Sequence, residues 1–367
     1  MQLSRLVLAV LALLLASGAR ADDRVMTTGY FYADSLGVLV GAPMASVSKD
    51  VSEEVSLNAR MVVDSVTSAS RNIDAITSAS MEVRAQGTVG MQWERGYNRT
   101  TGLVEHGREP DYVSTTTGLG YARDFASRCT TVEVFWWHGF DRIDPILIGD
   151  GTDEIRTKDT DSYRVSLTQV LGPGTVLTGT YNFAYVRGYQ SNPYYADVVT
   201  QAEQSPLYIN DQNPEERRRH AASLRLAQWL PPHSALHPVV RLYSDDWGVR
   251  SLTSELRYAL QATESLRVGT RYRFYAQTAS EWHRDVYSRS DIDALAFHTL
   301  DFKYDEMVAH LAGGNALIDL ERIRKALRAD AIDTIEAHAS YDFYRQQHGA
   351  DWTFFAHIGH AGLSTTF

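Results

Sequence analysis

Met81-Glu82-Val83-Arg84-Ala85-Gln86-Gly87-Thr88-Val89-Gly90-Met91-Gln92-Trp93 is the stretch that decides the fold. Its odd positions carry Met81, Val83, Ala85, Val89, Met91 and Trp93, and its even positions are polar or small. Period-2 alternation puts one face of an extended chain against an apolar medium and the other against water. Soluble strands run to about five or six residues. This one is about twice that, the length a tilted membrane strand requires.

The same signature recurs along the chain. It is clear in Val55-Leu57-Ala59-Met61-Val63, Tyr163-Val165-Leu167, Leu252-Ser254-Leu256-Tyr258-Leu260 and Leu266-Val268-Thr270-Tyr272-Phe274. Compact turns are expected near Ala126-Ser127-Arg128, Gly172-Pro173-Gly174, Pro231-Pro232-His233 and Thr263-Glu264-Ser265. Longer polar loops are expected at about 97 to 110, 142 to 159, 188 to 216 and 278 to 292. Short turns at one end and long loops at the other are the layout of bacterial outer-membrane barrels, the short turns being periplasmic. The expected fold is therefore an all-β, transmembrane antiparallel β-barrel of about 14 strands, within 12–16 and even in number.

Phasing back from the C-terminus places 305 to 330 in the periplasm. There Leu317, Leu320, Ile323 and Leu327 recur at helical spacing, which predicts a short helix at about 315–328. The same phasing puts the Ser/Ala/Thr-rich stretch 66 to 80 on the periplasmic side.

Composition agrees with this architecture. No segment past the start approaches 18 consecutive apolar residues, so a bundle of membrane helices is excluded. Tyr outnumbers Phe, 20 to 12, with 7 Trp besides, and Tyr and Trp are the rings that settle at membrane interfaces. A formal net charge of −10 argues against nucleic acid as a partner. The single Cys129 cannot form an intramolecular disulfide and is read as a buried or turn residue.

At the N-terminus a basic start, an apolar run from Leu6 to Ala16 and the Ala19-Arg20-Ala21 site predict a signal peptide over 1–21. The barrel domain then runs over 22–367. The chain ends on Phe367, after Ala361, Leu363 and Thr365 on one strand face. That alternation resembles the C-terminal signal read by the outer-membrane barrel assembly machinery.

Two blocks resemble the DUF3570 family of uncharacterised Gram-negative outer-membrane proteins. The first is Asp64-Ser65-Val66-Thr67-Ser68-Ala69-Ser70 through Asp74-Ala75-Ile76-Thr77-Ser78-Ala79-Ser80, with Glu82-Val83-Arg84 after it and Glu109-Pro110-Asp111-Tyr112 further on. The second is Arg241-Leu242-Tyr243-Ser244-Asp245-Asp246-Trp247-Gly248, followed by Arg271-Tyr272-Arg273-Phe274-Tyr275-Ala276-Gln277. Leu252 departs from a His expected there, and the helix near 317 to 327 is not a familiar feature. The resemblance implies an outer-membrane barrel and carries no activity with it.

Alternation also assigns the lumen. Arg241 and Tyr243, then Glu255 and Arg257, then Arg271, Arg273, Tyr275 and Gln277 face inward on three successive strands, with Asp245 and Asp246 in reach. One reading is a ladder of Arg–carboxylate pairs that fills and stiffens the lumen. The other is a constriction that selects anions.

The Asp245-Asp246-Trp247-Gly248 loop offers two carboxylates, a weak calcium signal. Gly248 is explained by a turn and Trp247 by the interface girdle. His338, His348, His357 and His360 match no zinc spacing, and no C-x-x-C-H haem motif or G-x-S-x-G nucleophile occurs. The expectation is no cofactor, no metal and no catalytic residue, with an outer-membrane hydrolase as the weakest alternative. Two functions stay open: a porin-like pore or transport component in outer-membrane lipid, or a sealed barrel docking a periplasmic or lipoprotein partner, the latter with a link to extracytoplasmic redox systems.

Overall fold

The computed structural model describes residues 23–66, 82–145, 154–193, 196–200, 207–326, 332–349 and 352–367. The expected signal peptide and its cleavage site lie outside these residues.

Among them, sixteen antiparallel strands close into a barrel. They are β1 (Arg24–Asp34), β2 (Leu39–Asp50), β3 (Val55–Val66), β4 (Glu82–Arg95), β5 (Asn98–Arg108), β6 (Tyr112–Phe125), β7 (Thr130–Ile143), β8 (Arg156–Gly172) and β9 (Thr175–Gly188). After two short strands, β10 (Ala196–Thr200) and β11 (Leu207–Asn210), the wall resumes with β12 (Glu216–Leu230), β13 (Ser234–Asp245), β14 (Arg250–Gln261) and β15 (Leu266–Gln277). Beyond the two-residue β16 (Tyr287–Ser288) come β17 (Met307–Asp319), β18 (Thr334–His348) and β19 (Trp352–Thr366). Each wall strand pairs with its neighbour, and β19 closes the ring on β1 with Thr366 opposite Arg24. The backbone N–H of Phe367 donates to the Asp23 carbonyl at 3.0 Å, so the two ends of the barrel meet at one seam.

The strand number corrects the expected fourteen. Asn98–Arg108, expected as a loop, is β5: its Thr, Gly and His residues blur the alternation, and pairing with β4 and β6 makes it a strand. Met307–Asp319, expected inside a periplasmic segment, is β17. Gly313 is demanded by the groups of β18 that lie over it, and the run of small residues around it erases the apolar signal.

The helix is shorter than expected and spans Glu321–Ala326. Ala316, Leu317 and Ile318 belong to the strand. Asp319 then accepts the Glu321 N–H at 2.9 Å and starts the turn. Leu327 lies outside the described residues, as does nearly all of 66 to 80. The strands flanking that stretch, β3 and β4, end at the rim of the long connections, opposite to the end expected for it.

The alternation is realised as read. Val83, Met91, Trp93, Tyr163, Val165, Leu167, Leu256 and Tyr272 are all exposed on the outside of the ring. An aromatic unit recurs three times on this outer face. Tyr181 and Phe183 pack against His220, Tyr272 and Phe274 against His310, and Tyr341 and Phe343 against His357. In each, the phenol pairs with the imidazole Nδ1, at 2.8, 2.8 and 2.6 Å. The histidine satisfies a hydroxyl that an apolar surrounding would leave unpartnered.

Short turns gather at the lower rim: 96–97, 126–129, 173–174, 231–233 and 262–265. Cys129 is exposed in one of them. The long connections are at the upper rim, except 320–333 with its Glu321–Ala326 helix, which lies at the lower one. Two of them, 189–215 and 278–306, join through the small sheet β11-β10-β16 around fully buried Val199, Tyr287 and Thr299. A short helix, Arg289–Ala294, is capped by Ser288 and Asp291 in a reciprocal capping box.

Candidate functional site: the inner wall and its roof

The inner wall from β8 to β15 carries mostly polar side chains. Thr168, Thr178, Arg225, Val239, Glu255 and Arg273 are successive register partners, so their side chains share one face. A recess of ≈ 620 Å³ lies against this wall. Its charged lining is Arg99, Arg164 and Arg225 with Glu133, among threonines and serines. Arg164 donates to Glu133 at 2.7 Å.

The sequence-predicted arc continues this recess. Arg241, Glu255, Arg257, Arg271 and Arg273 do face inward. Glu255, 5% exposed, accepts from Arg257 and from Arg273 Nε, the latter at 2.5 Å. Arg271 is not held by Asp245 or Asp246. It forms a two-pronged pair with Asp342 of β18, reaching Oδ1 at 2.6 Å through Nε and Oδ2 through Nη2.

The route of that pair is set by a glycine. Arg271, Gly313 and Asp342 are register partners in line across β15, β17 and β18. A side chain at Gly313 would run into the Asp342 carboxylate and the Tyr341 carbonyl. Only a missing Cβ lets the guanidinium lie flat across the middle strand. Asp342 was not among the expected site residues, although its position between Tyr341 and Phe343, both outward, marks it as inward by alternation.

Among the described residues, Arg225 and Arg241 take no part in the ion pairs of this wall. Arg241 lies 5.7 Å from the Tyr243 ring centroid. The arc thus carries more arginines than carboxylates.

At the upper rim the wall is roofed. Asp245 takes Arg217 of β12, with Nε to Oδ2 at 2.9 Å, and accepts the Tyr243 hydroxyl at 2.6 Å. Its other oxygen accepts the N–H groups of Trp247 and Val249, both at 3.0 Å. Asp246 accepts the Arg218 N–H at 3.0 Å. The two carboxylates therefore point to different partners, and Gly248 turns the chain at φ +83° as expected.

Trp247 does not stand in the outer girdle. It is 1% exposed, with Arg217 stacked at 4.1 Å from a ring centroid and Trp282 and Tyr304 packed around it. Its indole N–H donates to the Glu216 carbonyl at 2.9 Å. The 278–306 connection folds inward over this residue and takes it out of solvent. Burial pushes the Tyr304 phenol up to about 12, against the pull of Arg217. It stays neutral, so the Arg217 charge is answered by Asp245. Tyr275 donates to Gln277, whose amide donates to the Lys303 and Asp305 carbonyls at 3.0 and 2.7 Å and ties the roof to the wall.

The second sequence block thus forms one structural unit, the inner wall of β13 to β15 with its roofed rim. A family model described as a protein of unknown function, DUF3570, matches residues 74–350, through this unit and most of the barrel. The chain belongs to the DUF3570 family. No curated protein matches it.

Among solved structures, the DUF3570 chain is similar to a bacterial polysaccharide outer membrane secretin. The TM-score is 0.54 at 9% identity, over 95% of this chain and 99% of that one. It is also similar to CdiB from Acinetobacter baumannii, with a TM-score of 0.53 at 10% identity, over 95% of this chain and 61% of CdiB. At these identities the likeness is one of fold: a closed antiparallel barrel.

Proposed function

We propose that this DUF3570 chain is an integral outer-membrane barrel of a Gram-negative bacterium, and that it acts as an anion-preferring pore or transport component. The observation that carries the reading is the arginine-rich inner wall, with Arg225 and Arg241 left out of its ion pairs. Sixteen strands make a ring of the size that encloses an aqueous channel in porins. Lining charge of one sign is the simplest basis of ion selectivity. The membrane itself is supported by the outward band of exposed apolar side chains with its Tyr–His pairs, a surface that suits a hydrocarbon layer. In that setting the lower rim is periplasmic, and Phe367 at the seam is the assembly signal.

A second reading rests on the roof. The 278–306 connection buries the upper inward ends of β12, β13, β17 and β18, which favours a sealed barrel docking a periplasmic or lipoprotein partner.

Planar-bilayer recording of the refolded chain separates the two. A pore gives steady currents whose anion preference falls in an Arg225→Ser, Arg241→Ser variant. Silence from protein shown to be folded by its heat-modifiable gel mobility rejects the pore and leaves the sealed barrel.

A further inference from the structure

Three side chains from the roof converge at its junction with the wall. The imidazole nitrogen of His283 and one carboxylate oxygen each from Asp285 and Asp305 all lie within 4.8 Å of one another. His283 Nδ1 is 3.7 Å from Asp305 Oδ1. Around a tetrahedral ion with bonds of about 2.0–2.1 Å, neighbouring donor atoms stand roughly 3.3 Å apart. The His283–Asp305 edge is within a few tenths of an ångström of that spacing. Asp285 is exposed at the mouth of the cluster.

Asp305 is itself held from behind. Its second oxygen, Oδ2, is 3.1 Å from His348 Nδ1, and the other ring nitrogen of His348 meets the Gln346 amide nitrogen. That amide has hydrogen to donate, so Nε2 is the acceptor and Nδ1 carries the proton aimed at Asp305. The Gln346 amide nitrogen also donates to Met307 Sδ at 3.2 Å, a contact that a carbonyl oxygen could not make, while its carbonyl oxygen accepts from Tyr344 at 2.6 Å. A carboxylate oriented by an imidazole N–H, itself oriented by a further hydrogen bond, is the outer-shell support found around metal ligands.

We infer that His283, Asp285 and Asp305 bind a divalent first-row transition cation, of which Zn²⁺ is the probe, with His348 as the positioning residue for Asp305. One imidazole and two carboxylates suit such an ion. Calcium, which takes six to eight oxygens and no nitrogen, is served poorly. The bound ion joins the 283–285 segment of the roof to Asp305 at the root of β17 and ties the roof to the rim. The site stands whether or not the lumen conducts, so its test is separate from the conductance experiment.

The experiment is Zn²⁺ titration of the full-length, refolded protein in detergent after chelator treatment, in competition with a chromogenic chelator, with Ca²⁺ and Mg²⁺ as controls. One Zn²⁺ per chain is expected. Asp285→Asn, at an exposed position where the barrel still folds, and His283→Gln are each expected to weaken binding by more than the ~10–100-fold typical of losing an outer-shell group. His348→Ala is expected to fall within that range. Zn²⁺ is also expected to slow trypsin cleavage within 278–306 in the wild type and not in Asp285→Asn. Absence of stoichiometric binding by folded protein overturns the inference, as does Zn²⁺ binding that survives both ligand variants, or equal competition by Ca²⁺.

Discussion

Asp342→Asn isolates the ion pair that crosses Gly313. The substitution keeps the volume of the side chain and removes its charge, leaving the Arg271 guanidinium without its counterion and with Arg257 as its register partner. Removing one member of a buried pair costs about 3–5 kcal/mol. Asp342 is 1% exposed, but the Arg271 side chain keeps 30% of its surface open to the lumen. Water there relieves part of the stranded charge, so the expected loss is about 2–3 kcal/mol. At 1.4 kcal/mol per decade this is roughly a 30- to 150-fold shift in the unfolding equilibrium.

The reverse change, Arg271→Met, strands a carboxylate that has almost no access to water, and its cost is expected at about 3–5 kcal/mol. The double variant recovers part of either loss, with a coupling of about 1–3 kcal/mol. Reversible urea unfolding in lipid vesicles, followed by tryptophan fluorescence, measures all three. If Asp342→Asn unfolds at the wild-type urea midpoint and the two substitutions are additive, the pair is a solvated lumen contact and the argument from burial is wrong.

Two further outcomes follow from the roof. Trp247→Ala removes a fully buried indole and is expected to cost about 3–5 kcal/mol, opening 278–306 so that trypsin cuts there at least about a hundredfold faster; unchanged cleavage places the roof's stability elsewhere. Hydrogen bonds from the Ser288 side chain and backbone hold the Asp291 carboxyl below the usual carboxylate range. A depressed value means that the cap is at full strength above the ordinary carboxylate range and is lost as pH falls through the lowered one. Amide exchange at Asp291, corrected for its intrinsic pH dependence, is expected to lose protection in that acidic window and to show no such loss in Ser288→Ala.

Much of the barrel was written along the chain because each wall strand repeats the same physical demand. Tyr163-Val165-Leu167 meets the outer medium at every second residue, so side-chain orientation follows from parity alone. Parity likewise put Arg241, Glu255, Arg257, Arg271 and Arg273 on the inner wall. Where the demand comes from neighbouring strands the signal fades. Gly313 of β17 lacks a side chain because Arg271 and Asp342 meet above it, and that requirement belongs to β15 and β18 rather than to β17 itself. The helix was overextended for a related reason: Leu317 and Leu320 stand three residues apart in both a helix and a strand-to-helix junction.

What the sequence alone determined is the class of the fold, its closure by long alternating strands, its family and the inward face of the arginine arc. All of these depend on local periodicity or on short ordered motifs. Partner choice was decided only in three dimensions: Asp342 rather than Asp245 for Arg271, Arg217 for Asp245, burial rather than the outer girdle for Trp247. His283, Asp285, Asp305 and His348 come together the same way, from a folded connection and a strand far along the chain. Register and loop packing bring these residues together, and linear spacing carries no record of either.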